Sequence, residues 1–539
     1  MRAGVYNRYW STGGGAEKYG AAIASLLTRR FDVDLLTHDP VDLDWLGERL
    51  HVDLSGVGVR EVGDQRGAVT AASADYDLFT NVSFMSTDRA ASPRSIYVVH
   101  FPTATNAYLP PLQRYVVDHL GPTRGPIEVG MEWGEGFHHR ESGRRAPMWT
   151  NGDAVVRFVT PPDKSVPVGL LFGFHRPPDL PPATVRVERD GELVGELTLG
   201  APASRAQALR GCHLRVEVQS PDHDVPVELR IVSDTFVPSE IVGGADRRTL
   251  GVPLLGIHVG GGAATRLARW FPQMLTPPAT SSWTRSYGAL AANSRFTQTW
   301  IERYWQTESE VLYPPVTMHQ TGDKQPMILN VGRFFPADGG HSKKQLELVR
   351  AFHALCDQGV RGWRLCLVGG CAADGESYVA RVRELIGDRP IDVHVNAPGE
   401  QLASLYRQAS IYWHASGLGE NQRRRPDRLE HFGITTVEAM SAGAVPVVIG
   451  LAGQLETVRH GVDGYHFTTL DGLVGLTRML IDDPDLRSRM SASATSRARE
   501  FSMDAFATRL DGLVDRVMSS PDPTPGLVRA APADALDHR

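Results

Sequence analysis

The sequence has few cysteines, no long apolar run and no surplus of positive charge, and each shortage removes a class of protein. Cys212, Cys356, Cys366 and Cys371 are its four cysteines, and their positions lack zinc-ligand spacing. Three of them fall in segments that read as buried helix or strand, so reduced thiols in a cytosolic protein are expected. No run of 18 apolar residues occurs. The opening MRAGVYNRYW starts almost directly as a strand, without the basic and apolar regions of a signal peptide. A cytoplasmic location is expected, with peripheral contact at the inner membrane face left open. Lys plus Arg number 56 against 62 Asp plus Glu, a net charge of -6. That balance offers no global basic field for nucleic acid or an anionic membrane, and phosphate binding has to be local.

What is present is an ordinary globular composition, 42% hydrophobic and 22% charged, over 539 residues. At roughly 150 residues per domain this allows about three domains. The first stretch alternates strand and helix: RAGVYNRYW, the loop STGGG, the helical AEKYGAAIASLLTRR, then DVDLLTH, YDLFTNV and SIYVVHF. Short apolar runs bounded by turns are expected of buried parallel strands. From about Pro122 to Gly262 the helical period disappears into Val- and Leu-rich runs, with a hairpin signal at Arg189-Asp190-Gly191-Glu192. Helical pattern resumes with SSWTRSYGALAANSRFTQTWIERYW, and a second strand and helix series begins near Gln320, after the stiff VLYPPV.

These signals predict an α/β protein of two Rossmann-like domains facing a cleft, with an all-β sandwich inserted in the first. The expected divisions are 1–121 and 263–316 for the N-terminal domain, 122–262 for the sandwich, 317–518 for the C-terminal domain and 519–539 for a flexible tail.

The chemistry concentrates in LEHFGITTVEAMSAGAVPVVIG. Gly433 permits close backbone approach to a ligand, and a helix starting near Ile434 points free N–H groups at a diphosphate. Glu430 and Glu438 flank that terminus. Two surface carboxylates eight apart would be the structural alternative, and Glu420 is a competitor for the first, although His-Phe-Gly does not follow it. A phosphate group held without a metal needs fixed cations and backbone donors aimed at it. Arg333 at a strand end and Lys343 at the next helix start can converge on one site, and the adjacent Lys344 could replace Lys343. The Gly13-Gly14-Gly15 loop joins a strand to a helix, where an open anion or sugar site can form, but Gly20 is out of register for a nicotinamide fingerprint. His100 ends the strand of VVHFP, with a hydrogen-bonded core histidine as the alternative. The acids of DVD at 32–34 and DLD at 42–44 read as turn or strand-flanking groups rather than metal ligands.

The segment from Glu430 through His431, Phe432 and Gly433 to Glu438 resembles the E-x7-E region of the family 4 retaining glycosyltransferases of the GT-B fold. Further matches follow in order: GGGAEK, VVHFP, ANSRF with Asn293-Ser294, YPPV, and nearly all of 325–500, about two thirds of the chain. Their flavour is similar to the subgroup that extends lipid-linked glycans, including the dolichol-linked oligosaccharide mannosyltransferase. The resemblance implies that Glu438 accepts ribose hydroxyls, that Glu430 reaches the transferred sugar and that Arg333 and Lys343 form the basic pair. Lys343 lies eight residues before Ala351-Phe352, as in the family pattern. It also implies that Gly13 to Gly15 face the donor phosphates and that His100 lies near the reacting centre. The β-rich insert and the lengthened GLGENQRRRPDR loop depart from the family core, and Arg423 to Arg425 suit either an anionic acceptor or a solvated loop.

The expectation is therefore a hexosyltransferase of polysaccharide or glycoconjugate biosynthesis, taking a hexose from a GDP- or UDP-sugar, with GDP-mannose one candidate, to a glycan or lipid-linked acceptor. No cofactor or metal is expected, and no nucleic-acid partner. Donor sugar, linkage and oligomeric state stay open. The competing readings are a sugar-nucleotide hydrolase or epimerase on the same scaffold, and a non-catalytic glycan-binding scaffold that uses the β insert.

Overall fold

The computed structural model describes residues 1–65, 67–104, 131–138, 147–158, 165–174, 177, 180–200, 202, 211–219, 227–241, 246–259, 281–335 and 342–520. The expected limits of the insert near 122 and 262, and positions 521–539 of the expected tail, lie outside these residues. Two parallel sheets dominate. The first has seven strands in the order Glu310–Val311, Ala289–Ala292, Ser95–Val99, Leu78–Asn81, Arg2–Tyr6, Asp32–Thr37 and Val57–Glu61. The second has six, in the order Ile391–Val395, Arg364–Gly369, Gln325–Val331, Ala409–His414, Val445–Ile449 and Tyr465–Phe467. In each sheet the first strand in sequence lies beside the fourth, which is the Rossmann order with its topological switch between them. Loops leaving the C-terminal ends of those strands therefore border a crevice.

Both sheets are buried on two faces by helices, which is why strands such as SIYVV and VPVVI are apolar along their whole length. Between the two parts of the first sheet the chain builds two antiparallel sheets of five and four strands. Their facing residues, among them Phe158, Leu170, Phe172, Val185, Leu229 and Ile257, share one core. These sheets form a sandwich, its hairpin closing at Arg189↔Glu192 with both Asp190 and Gly191 at positive φ, as a two-residue turn matched to strand twist requires. The chain then returns to the sheet it left, because Ala289–Ala292 pairs in parallel with Ser95–Val99. The segment read as helical from SSWTR onward is a short 3-10 turn, that strand and the helix Arg295–Trp305.

One element crosses an expected boundary. The helix Met503–Ser519 falls within 317–518 but for its last residue, yet Phe506, Leu510, Leu513, Val514 and Val517 are buried with Ala22, Ile23 and Val98 of the first domain. The C-terminal helix thus straps the two α/β units together.

Candidate functional site

The helix Ile434–Ser441 begins at the crevice of the second sheet, and Gly433 at φ 97 starts it. The amides of Thr436 and Val437 turn back to the Gly433 carbonyl, so those of Ile434 and Thr435 precede the first intrahelical bond and face outward. Immediately before this terminus, Glu430 accepts from Lys343 Nζ at 2.6 Å and from His414 Nε2 at 3.1 Å. Burial pushes the Glu430 carboxyl up, but the Lys343 charge and the His414 hydrogen bond overcome it and hold the group well below the usual carboxylate range. His414 is 2% exposed, burial pushes its pKa down, and its Nδ1 has no hydrogen-bond partner. A neutral ring donating from Nε2 suits this setting, since a second proton would leave a buried N–H unpaired.

One turn into the helix, Glu438 accepts from Tyr406 Oη at 2.8 Å. Burial pushes its carboxyl up, and Lys18 and Tyr406 offset this only in part. The acidic pair thus differs in electrostatic setting: the Lys343 charge and His414 hold the Glu430 carboxyl low, and burial holds that of Glu438 high.

The structure pairs the two adjacent lysines with different acids. Lys343 lays its stem against the bare Cα of Gly332 and reaches Glu430. Lys344, held at φ 60 as the residue before the helix Gln345–Asp357, points to Glu420 at 3.6 Å, which Arg428 also approaches at 3.7 Å. Arg333, at the end of the strand Gln325–Val331, is exposed, with its guanidinium carbon 5.6 Å from the Phe335 ring centroid. Buried Gln345 donates to the carbonyls of Gly332 and Arg333 at 3.1 and 3.2 Å, so it fixes the Arg333 backbone to the start of the lysine-bearing helix. Arg423, Arg424 and Arg425 are exposed, and Arg425 pairs with Asp427.

The first domain supplies the facing wall. Glu17 accepts from Gly14 N at 2.9 Å, Thr12 Oγ1 at 2.8 Å and Asn7 Nδ2 at 3.2 Å, which holds the Gly13 to Gly15 loop against its helix Gly15–Leu27. A Cβ on Gly15 would stand 3.4 Å from Ile434 Cδ1, so the loop lies directly against the start of the Glu438-bearing helix. His100 donates from Nε2 to the Val82 carbonyl at 2.9 Å and packs edge-on to Tyr19. Its neighbour Phe101 stacks on His431 at 4.0 Å, while Phe432 turns inward onto Tyr313 and Phe501. His100 is therefore at the domain junction, and none of its described hydrogen bonds reaches Glu430. Glu456 closes the same junction by accepting from the amides of Arg295 and Phe296 at 2.8 and 2.7 Å, at the start of the helix Arg295–Trp305.

Sequence reasoning did not single out His414, Lys18, Glu17, Gln345 or Glu456. The signal that selected His100, a histidine ending an apolar strand, is equally present at His414 in IYWHAS. Asp34 accepts from Arg2 and Tyr76, and Asp42 caps the helix Leu43–Leu50, so both DxD runs have structural employment. Away from the crevice, Cys366, Asp392 and His394 bring ligand atoms within 4.8 Å of one another, although burial pushes the Cys366 thiol up to about 12. All four cysteines are free.

Histidine burial predicts an acid-labile fold. His319 is pushed down to about 4 by burial, then by the charges of Lys18, Arg407 and His51, and burial also pushes His100 and His414 down. Free imidazole titrates near 6.5, so between about pH 6.5 and 4 the unfolded chain binds more protons than the folded one. Stability should be full above about pH 6.5 and fall as pH drops toward 4, with roughly 1–2 kcal/mol from His319 after solvent screening. Glu438, pushed up, opposes this weakly. Urea unfolding at pH 7.5 and pH 5 checks it, and equal midpoints would contradict it.

The arrangement belongs to a defined class. Two Rossmann-like units with a crevice between them form the GT-B fold, and residues 318–497 match the family described as glycosyl transferases group 1. The chain is 27% identical over 175 residues to the GDP-Man:Man(3)GlcNAc(2)-PP-Dol alpha-1,2-mannosyltransferase of Xenopus laevis, covering 29% of this chain and 32% of that protein. It is 30% identical over 193 residues to the D-inositol 3-phosphate glycosyltransferase of Corynebacterium efficiens, covering 35% and 42%. The chain thus spans less than half the length of these relatives. HepE of Anabaena, solved with UDP and glucose, shares the fold with a TM-score of 0.50 at 13% identity, over 96% of this chain and 100% of that one. Among the described residues no helix is long and apolar enough to cross a membrane.

Proposed function

We propose that this chain is a retaining, metal-independent hexosyltransferase that moves a hexose from a nucleotide diphosphate sugar to a hydroxyl of a glycan or lipid-linked acceptor. The observation that carries this reading is the Glu430 cluster. A carboxylate kept ionised by Lys343 and His414 stands beside the open N-terminus of the helix Ile434–Ser441, at the topological switch of a Rossmann sheet. The helix amides and Arg333 offer positive potential to a diphosphate, Glu438 offers an acceptor to ribose hydroxyls, and Glu430 stands where positive charge develops on the sugar. Glu430, the carboxylate of the cluster, would have to abandon its ion pair with Lys343 to act as a covalent nucleophile. A front-face displacement, in which the departing phosphate helps deprotonate the acceptor, needs what the cluster offers: positioning and charge stabilisation. The lipid-linked acceptor and GDP-mannose as donor are supported by the mannosyltransferase relative, and the inositol phosphate relative keeps a soluble acceptor in play.

Two measurements test the reading. Mass spectrometry after incubation with UDP- and GDP-sugars and glycan or lipid extracts should show a product heavier than the acceptor by one hexose. Nucleotide release without that product would favour a hydrolase. Arg333→Ala should weaken UDP or GDP binding by about tenfold, the loss of one charge-assisted contact, with an unchanged melting temperature because the side chain is exposed. Unchanged affinity by calorimetry would remove Arg333 from the donor site.

A further inference from the structure

The strand Ile391–Val395 forms one edge of the second sheet and pairs in parallel with Arg364–Gly369. Its register sets Asp392 opposite Cys366 and His394 opposite Val368, so the side chains of Cys366, Asp392 and His394 leave the same face of the sheet. Cys366 is fully buried, His394 is part buried and Asp392 is half exposed. The arrangement is a thiol at the floor with an imidazole and a carboxylate at the rim. Their ligand atoms lie within 4.8 Å of one another, and Cys366 Sγ is 3.6 Å from Asp392 Oδ2. Two ligands of a tetrahedral zinc ion, each about 2.0–2.3 Å from the metal, stand about 3.5 Å apart, which is the spacing this pair already has.

The surroundings suit a metal. Gln401, on the helix Gly399–Gln408, hydrogen-bonds His394 Nδ1 at 3.1 Å, the kind of outer partner that fixes the orientation of a ligating ring. Arg364 stays 3.9 Å from Asp392, too far to occupy the carboxylate with a hydrogen bond. The Cys366 thiol meets a weak acceptor, Met327 Sδ at 3.2 Å, besides Asp392, so little is lost when a metal replaces its proton. A sulfur beside an imidazole selects zinc over magnesium or calcium, which take oxygen ligands. We propose that Cys366, Asp392 and His394 form a zinc site, with water in the fourth position, apart from the crevice where sugar transfer is placed. As the zinc–sulfur bond forms, the S–H bond breaks and its proton leaves to solvent. Sequence spacing conceals the site because the thiol and the carboxylate come from different strands, 26 residues apart. The ion ties the edge strand to its neighbour and stabilises the folded chain according to its occupancy.

Titration of the reduced, chelator-treated full chain with Zn²⁺, and separately with Co²⁺, tests this for wild type, Cys366→Ser, Asp392→Asn and His394→Gln. Wild type should take up one zinc ion per chain, and Asp392→Asn and His394→Gln should each weaken its binding by about tenfold or more. Zinc should raise the melting temperature of wild type by more than that of any variant. Cobalt in wild type should give the charge-transfer absorption of a thiolate–cobalt bond, and Cys366→Ser should abolish it. Should Cys366→Ser fail to fold, His394→Gln at the rim carries the same test through zinc affinity and loss of the melting shift. Zinc binding that is absent in wild type, or equal in wild type and His394→Gln, would show that the three side chains are only a hydrogen-bonded sheet edge. A charge-transfer band that survives in Cys366→Ser would place the metal on another cysteine and overturn the proposal. None of these results bears on the transferase reading.

Discussion

Glu430→Gln is expected to lower kcat by about 10²-fold or more while leaving donor KM unchanged or lower. Glutamine keeps the shape and an oxygen that can accept from Lys343 and His414, so the local hydrogen bonds at 2.6 and 3.1 Å have successors and the fold should survive. What disappears is the negative charge. In a water-poor crevice, loss of one preorganised electrostatic partner of the transition state costs about 10²–10³ in rate. Lys343, relieved of its counter-charge, becomes a stronger partner for phosphate, so ground-state donor binding has no reason to weaken. A fall in kcat without a rise in KM is therefore the signature, measurable by steady-state kinetics with circular dichroism as a fold control. A kcat within threefold of wild type would remove Glu430 from the reaction centre.

The parts of this molecule that were legible in the sequence are those set by local pattern. Continuous apolar strands such as SIYVV announce burial on both faces, and Asp190-Gly191 announces a hairpin through its need for positive φ. The His-Phe-Gly turn and the acids around it were equally plain, because glycine before a helix and a carboxylate one turn inside it are short-range features. Direction was not. Lys343 and Lys344 are chemically identical neighbours, and only the φ of 60 at Lys344 sends one toward Glu420 and leaves the other with Glu430. Contacts between domains were hidden for a different reason. Glu456 accepts from amides 161 and 160 residues away, and the helix Met503–Ser519 buries its apolar face on a domain that the chain left long before. A hydrophobic stripe states that a partner exists, and nothing in its period states which.

The backbone at Gly433 carries the second large effect. At φ 97 any L side chain is strained by about 1–2 kcal/mol, and a Cβ there would stand 2.4 Å from Nε2 of Gln454, which is fully buried. Gln454 is confined by burial, and its Oε1 accepts from Thr457 Oγ1 at 3.3 Å, so displacing it puts that hydrogen bond at risk. Gly433→Ala must therefore either rotate the start of the helix Ile434–Ser441 or push Gln454 aside, at a total cost of about 3 kcal/mol. Rotation moves the open amides of Ile434 and Thr435, and with them the anchor for a diphosphate, so affinity for UDP or GDP should fall at least tenfold together with the melting temperature. The joint loss separates this site from Arg333, whose removal should touch affinity alone. An alanine variant with wild-type melting and wild-type nucleotide binding would show that the helix start neither requires glycine nor serves as the phosphate anchor, and the donor would then have to be held from the Arg333 side of the crevice.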